Sequence, residues 1–168
     1  GKTSVYLAWA DAVRRHTGGN ALVLAPLAVV AQGCEEASAL GLEMHACRSQ
    51  ADVRPGINAT NYDRLHLFDP SQFAAVVLDE SSCIKHHDAK TLQTLLDAFA
   101  NTPYKLCCTA TPAPNDWTEL GTHAEFLNVC SRAEMLAEYF VHDGGETQTW
   151  RLKGHARAAF WRWVSSWG

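Results

Sequence analysis

Three short runs of residues have the types and spacing to act on a nucleotide. Gly1-Lys2-Thr3, followed by a helical pattern, matches the closing part of the phosphate-binding pattern GxxxxGK[ST]. In the full motif, backbone N–H groups at a helix amino end cradle the phosphates, the lysine reaches the β- and γ-phosphates, and the hydroxyl binds magnesium. Asp79-Glu80 closes the apolar run Ala74-Ala75-Val76-Val77-Leu78, where Asp79 would hold the metal and Glu80 would orient and deprotonate a water. Thr109-Ala110-Thr111-Pro112 closes a further apolar run. Taken singly, the tripeptide is compatible with chance, and an acidic pair at a strand end also suits a solvated turn or a helix N-cap. Their occurrence together favours the chemistry.

The elements that must position these residues follow from periodicity. Val5, Leu7, Ala8, Ala12 and Val13 have helical spacing within 3–16, and Gly18-Gly19-Asn20 supplies a stop. Ala21-Leu22-Val23-Leu24-Ala25, closed by Pro26, reads as a strand buried on both faces, and residues 27–40 read as helix. Weaker strands are expected at 42–46 and 57–60, the strongest at 74–78, a helix at 89–100, and a further buried strand at 104–109. Short apolar strands alternating with helices predict a doubly wound α/β sheet, with ligands beyond the carboxyl ends of its strands. After Pro114 the pattern is helical to about Phe140, then comes a glycine-containing stretch and a tryptophan-rich tail. The expected division is a lobe over 1–140 and a helical tail or linker over 141–168.

Composition narrows the class. The 168 residues, 47% apolar and 19% charged, fit one globular domain, and no apolar run approaches the roughly 20 residues that span a bilayer, so no membrane partner is expected. The formal charge of −4 argues against a surface given over wholly to nucleic acid, while leaving room for a local basic groove. Six cysteines form no CxxC pair and no zinc-ligand cluster, so cytosolic free thiols are expected, with Cys107 and Cys108 acting as small hydrophobes.

In order along the chain, these runs resemble the motifs of superfamily 2 helicases and, within them, the Swi/Snf-type ATPases, phage-encoded relatives included. Gly1-Lys2-Thr3 stands as motif I, Leu24-Ala25-Pro26-Leu27 with Gln32 as motif Ia, and Asn61-Tyr62-Asp63-Arg64-Leu65 near motif Ib. Asp79-Glu80-Ser81-Ser82 stands as motif II and Thr109-Ala110-Thr111-Pro112 as motif III. Pro114-Asn115-Asp116, Glu119-Leu120 and Phe126-Leu127 resemble the stretch that follows in Swi/Snf-type proteins.

The resemblance implies a RecA-like lobe with a mostly parallel sheet and helices on both faces, using ATP and magnesium. It also implies single- or double-stranded DNA as partner, together with a second RecA-like lobe of the parent chain. On that basis Gly1, Lys2 and Thr3 would bind nucleotide, Thr3 and Asp79 the metal, and Lys2, Asp79 and Glu80 would be catalytic. Ser82, Thr109, Ala110 and Thr111 would couple the γ-phosphate to lobe movement, and Pro26, Leu27, Gln32 and Asn61 would lie on the nucleic-acid path. Pro26 and Leu27 equally suit an ordinary strand exit and helix start.

Some features depart from the pattern or stay open. Ser82 stands where many relatives carry His or Asp, and Lys85-His86-His87 reads either as a basic loop near phosphate or as a solvated polar loop. The start at Gly1, without Met, leads us to expect a missing upstream segment holding the rest of the phosphate cradle. Without that segment and a second lobe, the fragment is expected to be nearly inert. In the tail, Trp150, Trp161, Trp163 and Trp167 with Arg151, Lys153 and Arg162 suit base stacking, whereas Phe160, Val164 and Trp167 at helical spacing suit packing. The rival functions are a binding module without turnover and another P-loop enzyme, such as a packaging motor or a small-molecule kinase.

Overall fold

The structure, a computed structural model, describes residues 1–82, 89–113, 115–142, 144 and 149–168. Cys83 and Lys85-His86-His87 therefore lie outside the described residues. By contact density the chain separates into two compact units, 1–110 and 111–168, a different division from the expected 1–140 and 141–168.

The first unit is built around β4 (Phe73–Asp79), whose unbroken apolar run leaves no face for water. It pairs in parallel with β1 (Asn20–Ala25) on one side and β5 (Tyr104–Cys108) on the other. Beyond β1 lie β3 (Ile57–Asn61) and then β2 (Met44–Ala46), which completes a five-stranded parallel sheet of order β2-β3-β1-β4-β5. Helices α1 (Lys2–Thr17) and α2 (Leu27–Ala39) cover one face, where Tyr6, Leu7, Ala10, Val13, Val30 and Ala37 pack on alternate strand residues such as Val23 and Val77. The intervening residues Leu22, Leu24, Val76 and Leu78 are fully buried too, so the second face is covered as well. Helix α3 (Ala89–Ala98) leads from β4 to β5.

Local sequence explains the stops. Gly18 takes a left-handed conformation (φ 70°) and its N–H closes α1 on the Arg14 carbonyl at 2.8 Å, a backbone geometry in which a side chain would be strained. The parallel pairing sends all five strands the same way, so their carboxyl ends, at Ala25, Ala46, Asn61, Asp79 and Cys108, share one edge of the sheet. In β5 the expectation of a buried strand fails: all five residues are half-buried, because β5 ends the sheet order and has a paired neighbour on one side only.

The second unit comprises α4 (Leu120–Phe126), α5 (Arg132–Tyr139), a two-stranded antiparallel ribbon of β6 (Phe140–His142) and β7 (Trp150–Leu152), and α6 (Arg157–Val164). The continuous helical pattern expected to Phe140 is broken. Asn128 takes a left-handed turn (φ 59°), and a Ser131–Glu134 capping box starts α5 afresh. The tail expected as helix or linker contributes a strand before its helix. Phe160 is fully buried against Leu120, Met135, Leu136 and Phe140, with Trp150, Trp161, Trp163 and Val164 packed around them. No helix among the described residues is long and apolar enough to cross a membrane, and Cys34, Cys47, Cys107, Cys108 and Cys130 are free thiols.

Candidate functional site

The amino end of α1 and the carboxyl ends of β4 and β5 meet at one edge of the sheet. Lys2 opens α1, and its ammonium forms an ion pair with the carboxylate of Glu80, 78 residues further on, just past the end of β4. The first turn of α1 contains no acidic residue and its end carries no side-chain cap, so its N–H groups face no competing anion of their own helix. Gly1, exposed, precedes that turn, and Thr3 lies within it.

Asp79, the last residue of β4, is buried, and one of its carboxylate oxygens accepts the Glu80 N–H at 2.9 Å. Burial raises its carboxyl above the ordinary carboxylate range, the Lys2 ammonium draws it back down, and the Glu36 charge raises it further. A cation beside Asp79 would offset both raising effects. Glu80 itself sits in the left-handed region at φ 52°, uncommon for a residue with a side chain. Strain of this kind costs of the order of 1 kcal/mol or more and concentrates at working sites.

Tyr6, which the sequence analysis did not single out, lies within electrostatic reach of the site. Its ring is buried and its hydroxyl is held far above the ordinary phenol range, first by burial and next by the Asp79 charge, while a hydrogen bond with Thr3 opposes the rise. Thr3 thus bonds a buried hydroxyl that also feels the Asp79 charge. A Cβ on Gly33 of α2 would come within 3.1 Å of that hydroxyl and 2.8 Å of the Met44 methyl, so both side chains would have to shift to admit one. Only the helical spacing of Tyr6 from Thr3, one turn apart, could have signalled its role.

Cys108 pairs with Asp79 across β4 and β5, and its thiol is pushed up to about 11 by burial and then by Asp79, with Lys2 acting against them. Thr109 and Ala110 follow it directly at the same edge, half-buried and exposed respectively, whereas Thr111 begins the second unit. Ser82, half-buried, lies two residues past Glu80. Pro26 and the exposed Leu27 mark the exit of β1 and the start of α2, and Gln32, also exposed, donates to Glu36 along that helix at 3.0 Å. Asn61 ends β3 and is buried, with its side-chain oxygen unpartnered among the described residues. The structure therefore gathers Lys2, Thr3, Asp79 and Glu80 and places Pro26 and Asn61 at neighbouring strand ends. A cavity of about 660 Å³ lined by Cys34, Met44, His45, Arg48 and Arg54 is separate, containing none of these residues.

Comparison with known families matches residues 2–142 to the SNF2-related domain. The chain belongs to that family. A solved structure, the Sulfolobus solfataricus SWI2/SNF2 ATPase core in complex with dsDNA, is similar at a TM-score of 0.65 and 23% identity, over 83% of this chain and 32% of that one. Comparison with curated proteins gives no match. The SNF2-related chain accordingly has the RecA-like fold of a Swi/Snf-type superfamily 2 lobe, and it spans about a third of the length of the structure it resembles. The resemblance expected from the ordered motifs and the expected parallel α/β fold both hold.

Proposed function

We propose that this chain is the ATP-binding lobe of an ATP-hydrolysing helicase or translocase that moves on DNA. The observation that carries the reading is the meeting of Lys2 with Glu80, beside Asp79 and Thr3, at the carboxyl edge of a parallel sheet. Lys2 neutralises phosphate charge, and the uncapped amino turn of α1 donates N–H groups to the phosphate oxygens. Asp79 and the Thr3 hydroxyl offer hard oxygen donors to magnesium, which takes one or two carboxylates together with phosphates rather than a cage of protein ligands. Bound magnesium would neutralise charge developing on the transferred phosphoryl group. Glu80 accepts a proton from the attacking water.

The ends of β1 and β3, with Pro26, Leu27, Gln32 and Asn61, are assigned to the DNA path. Ser82, Thr109, Ala110 and Thr111 are assigned to coupling with a second RecA-like lobe. The SNF2-related family match and the DNA-bound state of the Sulfolobus core support a DNA partner. Free thiols in the described cysteines suit a cytoplasmic setting.

The test is ATP turnover by the intact protein with no DNA, single-stranded DNA and duplex DNA, beside Lys2→Ala. DNA-stimulated turnover lost in the variant is the expected result. Salt-sensitive DNA binding with no turnover in any condition would replace the motor with a binding module.

A further inference from the structure

Glu80 is one of two non-glycine residues with positive φ among the described residues, and two groups hold the peptide plane that leads into it. The N–H of that plane donates to the Asp79 carboxylate at 2.9 Å. Its carbonyl, that of Asp79, accepts a hydrogen bond from the Tyr62 hydroxyl at 2.8 Å. Because a peptide unit is rigid, fixing its N–H and its C=O fixes the plane from which the Glu80 side chain departs, leaving the N–Cα rotation and the side-chain torsions of Glu80 to set where its carboxylate lies. The Lys2 ammonium grips the far end of that side chain.

Tyr62 reaches this plane from another strand end. It follows Asn61, the last residue of β3, and β1 lies between β3 and β4 in the sheet. The β1–β4 pairing stops at Leu24 and Leu78, so one residue beyond the ladder the Asp79 carbonyl takes its donor from Tyr62.

We propose that Tyr62 is a positioning residue for Glu80, its hydroxyl and the Asp79 carboxylate clamping one peptide plane and so aiming the acid. This rests on the assignment of Glu80 as the base. Tyr62 touches no reacting atom; it acts through the Asp79 carbonyl. Removing the hydroxyl frees one side of the plane, and the left-handed turn at Glu80 relaxes toward commoner backbone angles.

The experiment compares Tyr62→Phe and Glu80→Gln in the intact protein, reading ATP turnover at saturating DNA, KM for ATP, and affinity for a non-hydrolysable ATP analogue. Tyr62→Phe keeps the ring, and its expected effect is a fall in kcat of about tenfold with KM and analogue affinity unchanged. A purely structural role would instead lower analogue affinity or the melting temperature along with the rate, and that outcome overturns the proposal. A wild-type kcat in Tyr62→Phe, with Glu80→Gln inactive, overturns the positioning role and leaves the base assignment standing. Sustained turnover in Glu80→Gln overturns both.

Discussion

Strands β4 and β5 lie side by side and run in the same direction, yet the protein treats them differently: β4 is apolar from Phe73 to Leu78, whereas β5 carries Lys105 at its second position. In β4 six of the seven residues are buried and the strand ends on Asp79, with Glu80 next; in β5 every residue is half-buried and the strand ends on Cys108, with Thr109 and Ala110 next. Hydrophobicity along a strand reports how much water it avoids, while its place in the sheet order decides how much it can avoid. β4 is paired on both sides and β5 on one. The rigidity of β4 suits an end that must hold two carboxylates and a left-handed turn, and the looser seat of β5 suits an end assigned to coupling.

The largest expected effect distinguishes the two ends. Asp79→Asn should lower ATP turnover by the intact protein by about 10³-fold, whereas Thr109→Ala should lower it by about tenfold and weaken DNA stimulation more than basal turnover. Equal losses in the two variants would erase the distinction between a chemical and a coupling end.

Core truncation tests the strands themselves. Leu78→Ala, at a fully buried site, should destabilise by about 2–5 kcal/mol, and Leu106→Ala, on the half-buried strand, by about 1–2 kcal/mol, read from denaturant midpoints. The reverse order would mean that β5 is covered on its open side in the intact protein.

Thiol chemistry sharpens the picture at β5. Burial pushes Cys107 up to about 12 and Cys108 up to about 11. At pH 8 Cys108 should alkylate about 10²-fold and Cys107 about 10³-fold more slowly than an unperturbed thiol, because the thiolate is the reactive form. Lys2→Ala should slow Cys108 further, since Lys2 favours its thiolate. Fast labelling of Cys108 would place that end of β5 in solvent.

The smallest effect lies away from both strands. A hydrogen bond from Arg14, aided by Arg15, holds the buried Asp11 carboxyl below the ordinary range. Its contribution of about 0.5–1 kcal/mol should be fully present above the unfolded-state value and lost as the pH falls through the depressed folded value. Asp11→Asn should remove that acid-side dependence, which pH-resolved melting would show.

Much of this architecture was legible in residue order. The runs at 21–25 and 74–78, the stop at Gly18 and the amphipathic helix from 89 announce themselves by composition and period, and the parallel sheet follows from their alternation. The positions of Lys2 at a helix start and of Asp79 and Glu80 at a strand end were legible from the elements that carry them, and folding pairs Lys2 with Glu80. Tyr6 and Tyr62 were not legible. A single tyrosine on a helix or past a strand carries no periodic signal, and its hydroxyl gains a role only when folding brings Thr3 and Asp79, or the Asp79 carbonyl, beside it. The break at Asn128 was hidden in a region of continuous helical propensity, although Ser131 and Glu134 have the spacing of a helix start. The ribbon of β6 and β7 has strands of three residues, too short for alternation to show.

The most direct test of the central claim, that the end of β4 is the chemical end of the site, is paired measurement of ATP affinity and ATP turnover for Glu80→Gln in the intact protein with DNA present. Affinity close to wild type with turnover reduced by about 10³-fold is the predicted result. Turnover at the wild-type rate would contradict the account.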